Sequence, residues 1–189
     1  TVVLIPPAAF FYLLEFYTHN PFAEVRPWAQ LFNIALFELL AGIFLCITGR
    51  FRAAYRIEGT AAMIFGLANA YVVRFRTNPL VPWDILSWRT AVSVSGNYDF
   101  TPDTRMIVVT ILFLALITTL QPVKFKIGRP GFFKRCLPGV VLGAVLVMFA
   151  GTLQQENFQN EHRLYNKLFT PVFMTQVDGI PVTFVMNLA

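Results

Sequence analysis

Between Arg105 and Lys124 the chain carries no charged residue, and four comparable apolar runs share its 189 residues. One small water-soluble core cannot hide five such segments. Each needs only to approach the roughly 20 residues that carry a helix across a ~30 Å hydrocarbon layer. Composition agrees. Apolar residues make up 56% of the chain and charged residues 13%, against about 45–50% and about 25% in soluble domains. The fold expected is all-α, a polytopic membrane bundle.

Five spans can be drawn, over about 2–17, 28–48, 53–73, 103–120 and 136–153. Together they form a domain over 1–153, followed by a polar stalk over 154–189. Thr101-Pro102-Asp103 reads as a hydroxyl cap, a first-turn proline and a first-turn acid. Gln121-Pro122 ends the same helix, because proline disfavours a helical residue before it. Pro138 falls in the first turn of the last span, where proline is tolerated. A loop over 77–100, with Pro79, Pro82, Trp83 and Trp88, is too long for a simple turn and reads as an interfacial or re-entrant piece.

Lysine and arginine set the expected orientation. The connection over 121–135 holds Lys124, Lys126, Arg129, Lys134 and Arg135 with no acid, and Arg50 and Arg52 flank the turn at Gly49. The opposite connections mix arginines with Glu24, Asp84, Asp99 and Asp103. Acid-free basic loops face the cytoplasm, so the N-terminus is expected inside and the stalk outside. This topology explains the net charge of +5 without nucleic acid as a partner. Thr1 in place of Met, and an apolar stretch still running from Ile180 to Ala189, read as the ends of a piece of a longer protein. A sixth span beginning at Ile180 is the alternative.

No catalytic signature is present: no nucleophile elbow, phosphate-binding glycine loop or zinc-type cluster. His19 and His162 stand alone, and Cys46 and Cys136 lack metal spacing. No catalytic residue, metal site or cofactor is therefore expected in this chain. Glu38 falls midway along the second span, where a carboxyl is expected protonated or paired and facing the bundle interior. A hydrogen bond to another helix, for instance to Asn69 on the third span, is expected for it, with a contact to substrate lipid or a proton site as the alternative. Glu15 and His19 at the outer end of the first span, with Arg74, Arg76 and Asp84, are candidates for contact with a lipid headgroup, since guanidinium forks suit phosphate. Snorkelling and carboxylate pairing are the plainer account of the same residues. Ala62, Gly66 and Ala70 recur every four residues, and Gly139 with Gly143 forms a GxxxG. Both strips allow close helix approach. They are expected to pack the bundle internally, with a homo-oligomer as the alternative.

Several landmarks, taken in order, resemble the membrane portion of the lipoteichoic acid synthase-like family. They are Glu15-Phe16-Tyr17-Thr18-His19-Asn20-Pro21-Phe22, Thr48-Gly49-Arg50, Pro82-Trp83-Asp84-Ile85-Leu86 and Ser93-Val94-Ser95-Gly96-Asn97-Tyr98. Leu164-Tyr165, Lys167-Leu168-Phe169 and Met186-Asn187-Leu188 complete the set. The resemblance implies a parent phosphoglycerol transferase at a bacterial cell membrane. Such an enzyme takes glycerol phosphate from phosphatidylglycerol through an external sulfatase-type domain with a threonine nucleophile and a manganese-type divalent metal. Those residues would lie beyond Ala189, and none maps onto this sequence. The implied partners are anionic membrane phospholipid and the protein's own catalytic domain. A small lipid or solute transporter, or a non-catalytic assembly subunit, is the competing reading.

Overall fold

The computed structural model describes residues 5–86, 96, 99–119, 131–166 and 170–188, and among them every regular element is a helix. The order is α1 (Ile5–Glu15), α2 (Pro21–Glu24), α3 (Pro27–Thr48), α4 (Phe51–Arg76), α5 (Pro82–Leu86), α6 (Thr104–Thr119), α7 (Phe132–Leu153), α8 (Glu156–Glu161), α9 (Pro171–Asp178) and α10 (Ile180–Met186).

The stretches Pro27–Thr48 and Lys134–Leu153 are long and apolar enough to cross a membrane. α7 also leaves Val147 and Met148 each 72% exposed, an apolar surface that water would not tolerate across a whole helix. α1 and α6 are shorter apolar helices. α4 has the length, at 26 residues, but it carries Arg52, Arg56, Glu58, Arg74 and Arg76.

Side-chain pairs fix the helix directions. Along α3 and α7, Cys46 meets Gly139, Gly42 meets Leu142 and Phe32 meets Phe149, so the two run antiparallel. Phe10 lies over Gly59 and Tyr17 over Gly66, which makes α1 and α4 parallel. Tyr17 hydroxyl bonds Thr110 Oγ1 at 2.9 Å, while the Phe10 contacts reach Phe113, so α6 opposes α1. α3 and α4 are joined by Gly49 and Arg50 alone and pack side by side, so they oppose each other, and the five longest helices alternate in direction along the chain.

Local chemistry sets the helix ends. Gly49 takes φ +65° and donates its N–H to Leu45 O, stopping α3, because a left-handed cap suits a residue without Cβ. The Arg135 side chain lies against that glycine, a favourable place for a cation at a helix C-terminus. The cap of α6 is Asp103, whose Oδ1 accepts from Met106 N at 2.7 Å. Thr101, the expected cap, instead directs its N–H and hydroxyl to Asp99. α7 begins at Phe132, four residues before the expected start at Cys136. Pro138 therefore sits beyond the first turn, where it removes one helical hydrogen bond.

The segment drawn as a stalk returns to the bundle. After α7 the chain turns through α8, with Gln159 Nε2 donating to Leu153 O at 2.8 Å. α9 and α10 then fold back, burying Met174, Ile180 and Val182. Residues 87–95 of the long loop and Lys124, Lys126 and Arg129 of the basic loop lie outside the described residues. So do residues 1–4 and Lys167-Leu168-Phe169.

Candidate functional site

Three polar places deserve chemistry, and the first is a buried junction at one end of the bundle. α1 ends in Glu15, which is fully buried. Its Oε1 accepts from Ile180 N at 2.7 Å, and its Oε2 lies 3.1 Å from His19 Nε2. The spacing of four residues places both side chains on one face. His19 Nδ1 pairs with Thr18 Oγ1 at 2.9 Å. Across the junction, Asn33 Nδ2 donates to Ala29 O and Asp178 O, each at 2.8 Å. Asn33 Oδ1 accepts from Val182 N at 2.9 Å. Asp178 accepts from Tyr165 N, and Arg26 N donates to Val177 O at 2.9 Å. The first N–H groups of a helix have no partner within it, and here Glu15 and Asn33 supply partners for those of α10. Burial pushes the Asp178 carboxyl up to about 6, against the pull of the Tyr165 N–H and the Arg26 charge.

The second place is the arginine pair in the last turn of α4. Arg76 forms a two-pronged contact with Asp84, at 2.8 and 2.6 Å. That bond holds the Asp84 carboxyl below its ordinary range. Arg74 donates to Thr101 O at 2.7 Å and lies 3.6 Å from Asp99. Hydrogen bonds from Thr101, and then the Arg74 charge, keep Asp99 low as well. Arg74, Arg76 and Asp99 are exposed and Asp84 is half-buried, and together they tie α4 to α5 and to the segment before α6.

The five residues grouped in sequence as headgroup contacts therefore divide. Glu15 and His19 face inward and hold α10, while Arg74, Arg76 and Asp84 remain at the surface. The reason is the C-terminal segment, whose helix start covers the end of α1.

The third place was not legible as a site. Glu58 is 2% exposed, and neither carboxyl oxygen has a hydrogen-bond partner. The missed signal is its spacing, since Ala54, Glu58, Ala62, Gly66 and Ala70 fall every four residues and all are buried. Glu38 Oε1 is likewise buried and unpartnered. Asn69 is not its partner. Asn69 Oδ1 accepts from Leu80 N at 2.8 Å, and it lies 11 residues past Glu58, about 16 Å along α4.

The small-residue strips also divide. A Cβ at Gly66 would meet the Tyr17 ring at 2.7 Å, and one at Gly139 would meet Cys46 at 3.2 Å. Ala62 and Ala70 are buried with Gly66. Gly143 has nothing within 4 Å of its Cβ position, so the GxxxG contributes one contact glycine. His162 Nδ1 donates to Phe158 O at 3.0 Å, and the imidazole stacks on the Phe158 ring.

Among the described residues no three His, Cys, Asp or Glu side chains come together as a metal site would require. No family model, no curated protein and no solved structure matches the chain.

Proposed function

We propose that this chain is the membrane part of a lipoteichoic acid synthase-like phosphoglycerol transferase, anchoring and orienting an external catalytic domain. In this reading α1, α3, α4, α6 and α7 each cross the bilayer, with the N-terminus in the cytoplasm and α8 to α10 at the external side. Anchoring suits an enzyme that acts on a lipid headgroup, because site and substrate are confined to one surface and need not meet from bulk solution. Phosphatidylglycerol-type lipid is the substrate of the whole protein, and Arg74 and Arg76 are the side chains here that suit its phosphate.

The observation that supports this reading is convergence. Segments quoted for the resemblance, from 15–22, 164–165 and 186–188, lie far apart in sequence and meet at one end of the bundle. Glu15 binds Ile180 N, and Leu164, Met174, Val182 and Met186 share one core cluster with Val25. A rigid seat for the last described residues is what orienting a following domain requires.

Topology is the direct test. Single cysteines placed at Asp84, Lys126 and Glu156, with Cys46 and Cys136 replaced, are exposed to a membrane-impermeant maleimide in intact cells. Labelling is expected at Asp84 and Glu156 and only after lysis at Lys126. Labelling of Glu156 only after lysis would reverse the orientation and end the proposal. For the substrate half, Arg74→Ala with Arg76→Ala in the full-length protein is expected to lower turnover of phosphatidylglycerol. Unchanged turnover removes the arginines from the reading and leaves the anchor.

A further inference from the structure

A groove runs over α3 between α4 and α7, and α10 closes one end of it. Its volume is about 560 Å³, inside the ~300–1,000 Å³ range of ordinary ligand sites. Leu40 and Phe44 form part of its floor, Ala61 and Phe65 stand on the α4 side, Val147 on the α7 side, and Phe184 at the α10 end. The lining along α3 runs from Leu36 to Phe44, about 12 Å by helical rise, so the space is a slot parallel to the helices. Ala61 and Val147 are exposed, which leaves the slot open sideways to the hydrocarbon layer.

One polar side chain reaches this apolar space. Glu58 lines it, is 2% exposed and has neither oxygen hydrogen-bonded. Buried polar groups are ordinarily satisfied, and an unsatisfied one costs about 1–3 kcal/mol. Lipid tails can fill the slot but cannot satisfy a carboxyl.

We propose that the slot binds a neutral acyl lipid whose head is a free hydroxyl, with the hydroxyl bonded to Glu58 and the chain lying along α3 toward Phe184. Charge argues against a cationic head. Taking an ammonium out of water into this lining costs several kcal/mol, whereas a hydroxyl costs less and both donates and accepts. An anionic phosphate head would meet the Glu58 carboxyl, and no guanidinium lines the slot. The site stands apart from the outer arginines and does not depend on the function proposed above.

The test uses the full chain reconstituted in phosphatidylcholine nanodiscs and two probes. One is diacylglycerol with a diazirine and an alkyne on one chain; the other is the same lipid with its hydroxyl acetylated. After irradiation, crosslinked peptides are expected from 36–44, 58–65, 146–150 and 181–188. The free-hydroxyl probe is expected to label about fivefold more, the equivalent of one net hydrogen bond. Glu58→Leu is expected to abolish that preference and Glu58→Gln to retain it. Ala61→Trp, filling the slot from its exposed rim, is expected to suppress both probes. Equal labelling by the two probes in the parent, crosslinks confined to other surfaces, or a preference that survives Glu58→Leu would each overturn the proposal. If Glu58→Leu does not fold, Ala61→Trp decides: labelling equal to the parent refutes the site.

Discussion

The junction at Glu15 and Asn33 and the slot at Glu58 bury polar side chains to the same degree, yet treat them in opposite ways. Asn33 makes three hydrogen bonds, all to backbone atoms, and Glu15 reaches both Ile180 N and His19. Glu58 makes none. The first arrangement closes an account that the chain itself opened, since an inserted helix start brings unpaired N–H groups into the interior. The second leaves bonding capacity facing an apolar space. Buried polarity thus serves two ends in one small bundle: fixing the C-terminal segment, and presenting an unfilled contact to whatever enters the slot.

The difference can be broken most forcefully at Asn33. Asn33→Leu would strip partners from Val182 N and Asp178 O, both inside the fold. At about 1–3 kcal/mol for each orphaned group, the loss should be about 4 kcal/mol. Thermal unfolding of the detergent-solubilised protein measures it. A shift no larger than that of a surface substitution would mean the junction does not hold α9 and α10.

Acidity probes the same junction from the other side. The Asp178 carboxyl titrates near 6 when folded, raised from an ordinary 3.8. Below about pH 4 both folded and unfolded chains hold the proton, and the contribution is complete. From there to about pH 6 only the folded chain retains it, so stability falls as pH rises. At about 1.4 kcal/mol per unit the change approaches ~3 kcal/mol. Hydrogen exchange over 171–186, corrected for intrinsic rates, should therefore show firmer docking at pH 4 than at pH 7. Asp178→Asn should flatten that dependence, and an equal slope in the variant would assign the titration to another group.

Helix contacts offer a smaller and paired effect. Gly66→Leu must displace the Tyr17 ring and Leu14, an overpacking expected to cost about 1–3 kcal/mol. Gly143→Leu meets open space and should change the unfolding temperature little. Equal losses from both would show that the α4 strip is no tighter than the α7 strip.

These cases also show what the sequence could disclose. Helix positions followed from charge-free runs and from the cap at Gly49, because apolar length and backbone caps are local properties; Pro122 lies outside the described residues. The Ala62–Gly66–Ala70 strip was legible for the same reason: periodicity needs no partner to be seen. Gly143 was not, since whether a small residue is touched depends on the helix opposite. Glu15 and His19 could be placed at a helix end, but their inward role depends on Ile180, 165 residues away. Nothing in the local pattern announces a return of that length. Glu38 and Asn69 were paired in sequence because both are polar and fall within expected spans, and helical rise alone separates them in space.

Glu58 completes the comparison with the smallest expected effect on stability. Removing a group that others depend upon orphans those others; removing one with no partner orphans nothing. Glu58→Leu, read in a detergent free of hydroxyl-headed acyl lipid, is therefore expected to stay within about 1 kcal/mol of the parent or to gain slightly. The open slot leaves room for the branched side chain beside Ala61 and Ala62. A loss approaching that of Asn33→Leu would mean that Glu58 has a structural partner, and the contrast between a closed junction and an open site would collapse. A neutral result has a sharper meaning. A carboxyl whose removal costs the fold nothing has the slot left as its place of action, and lipid labelling then becomes the measurement in which its loss must be felt.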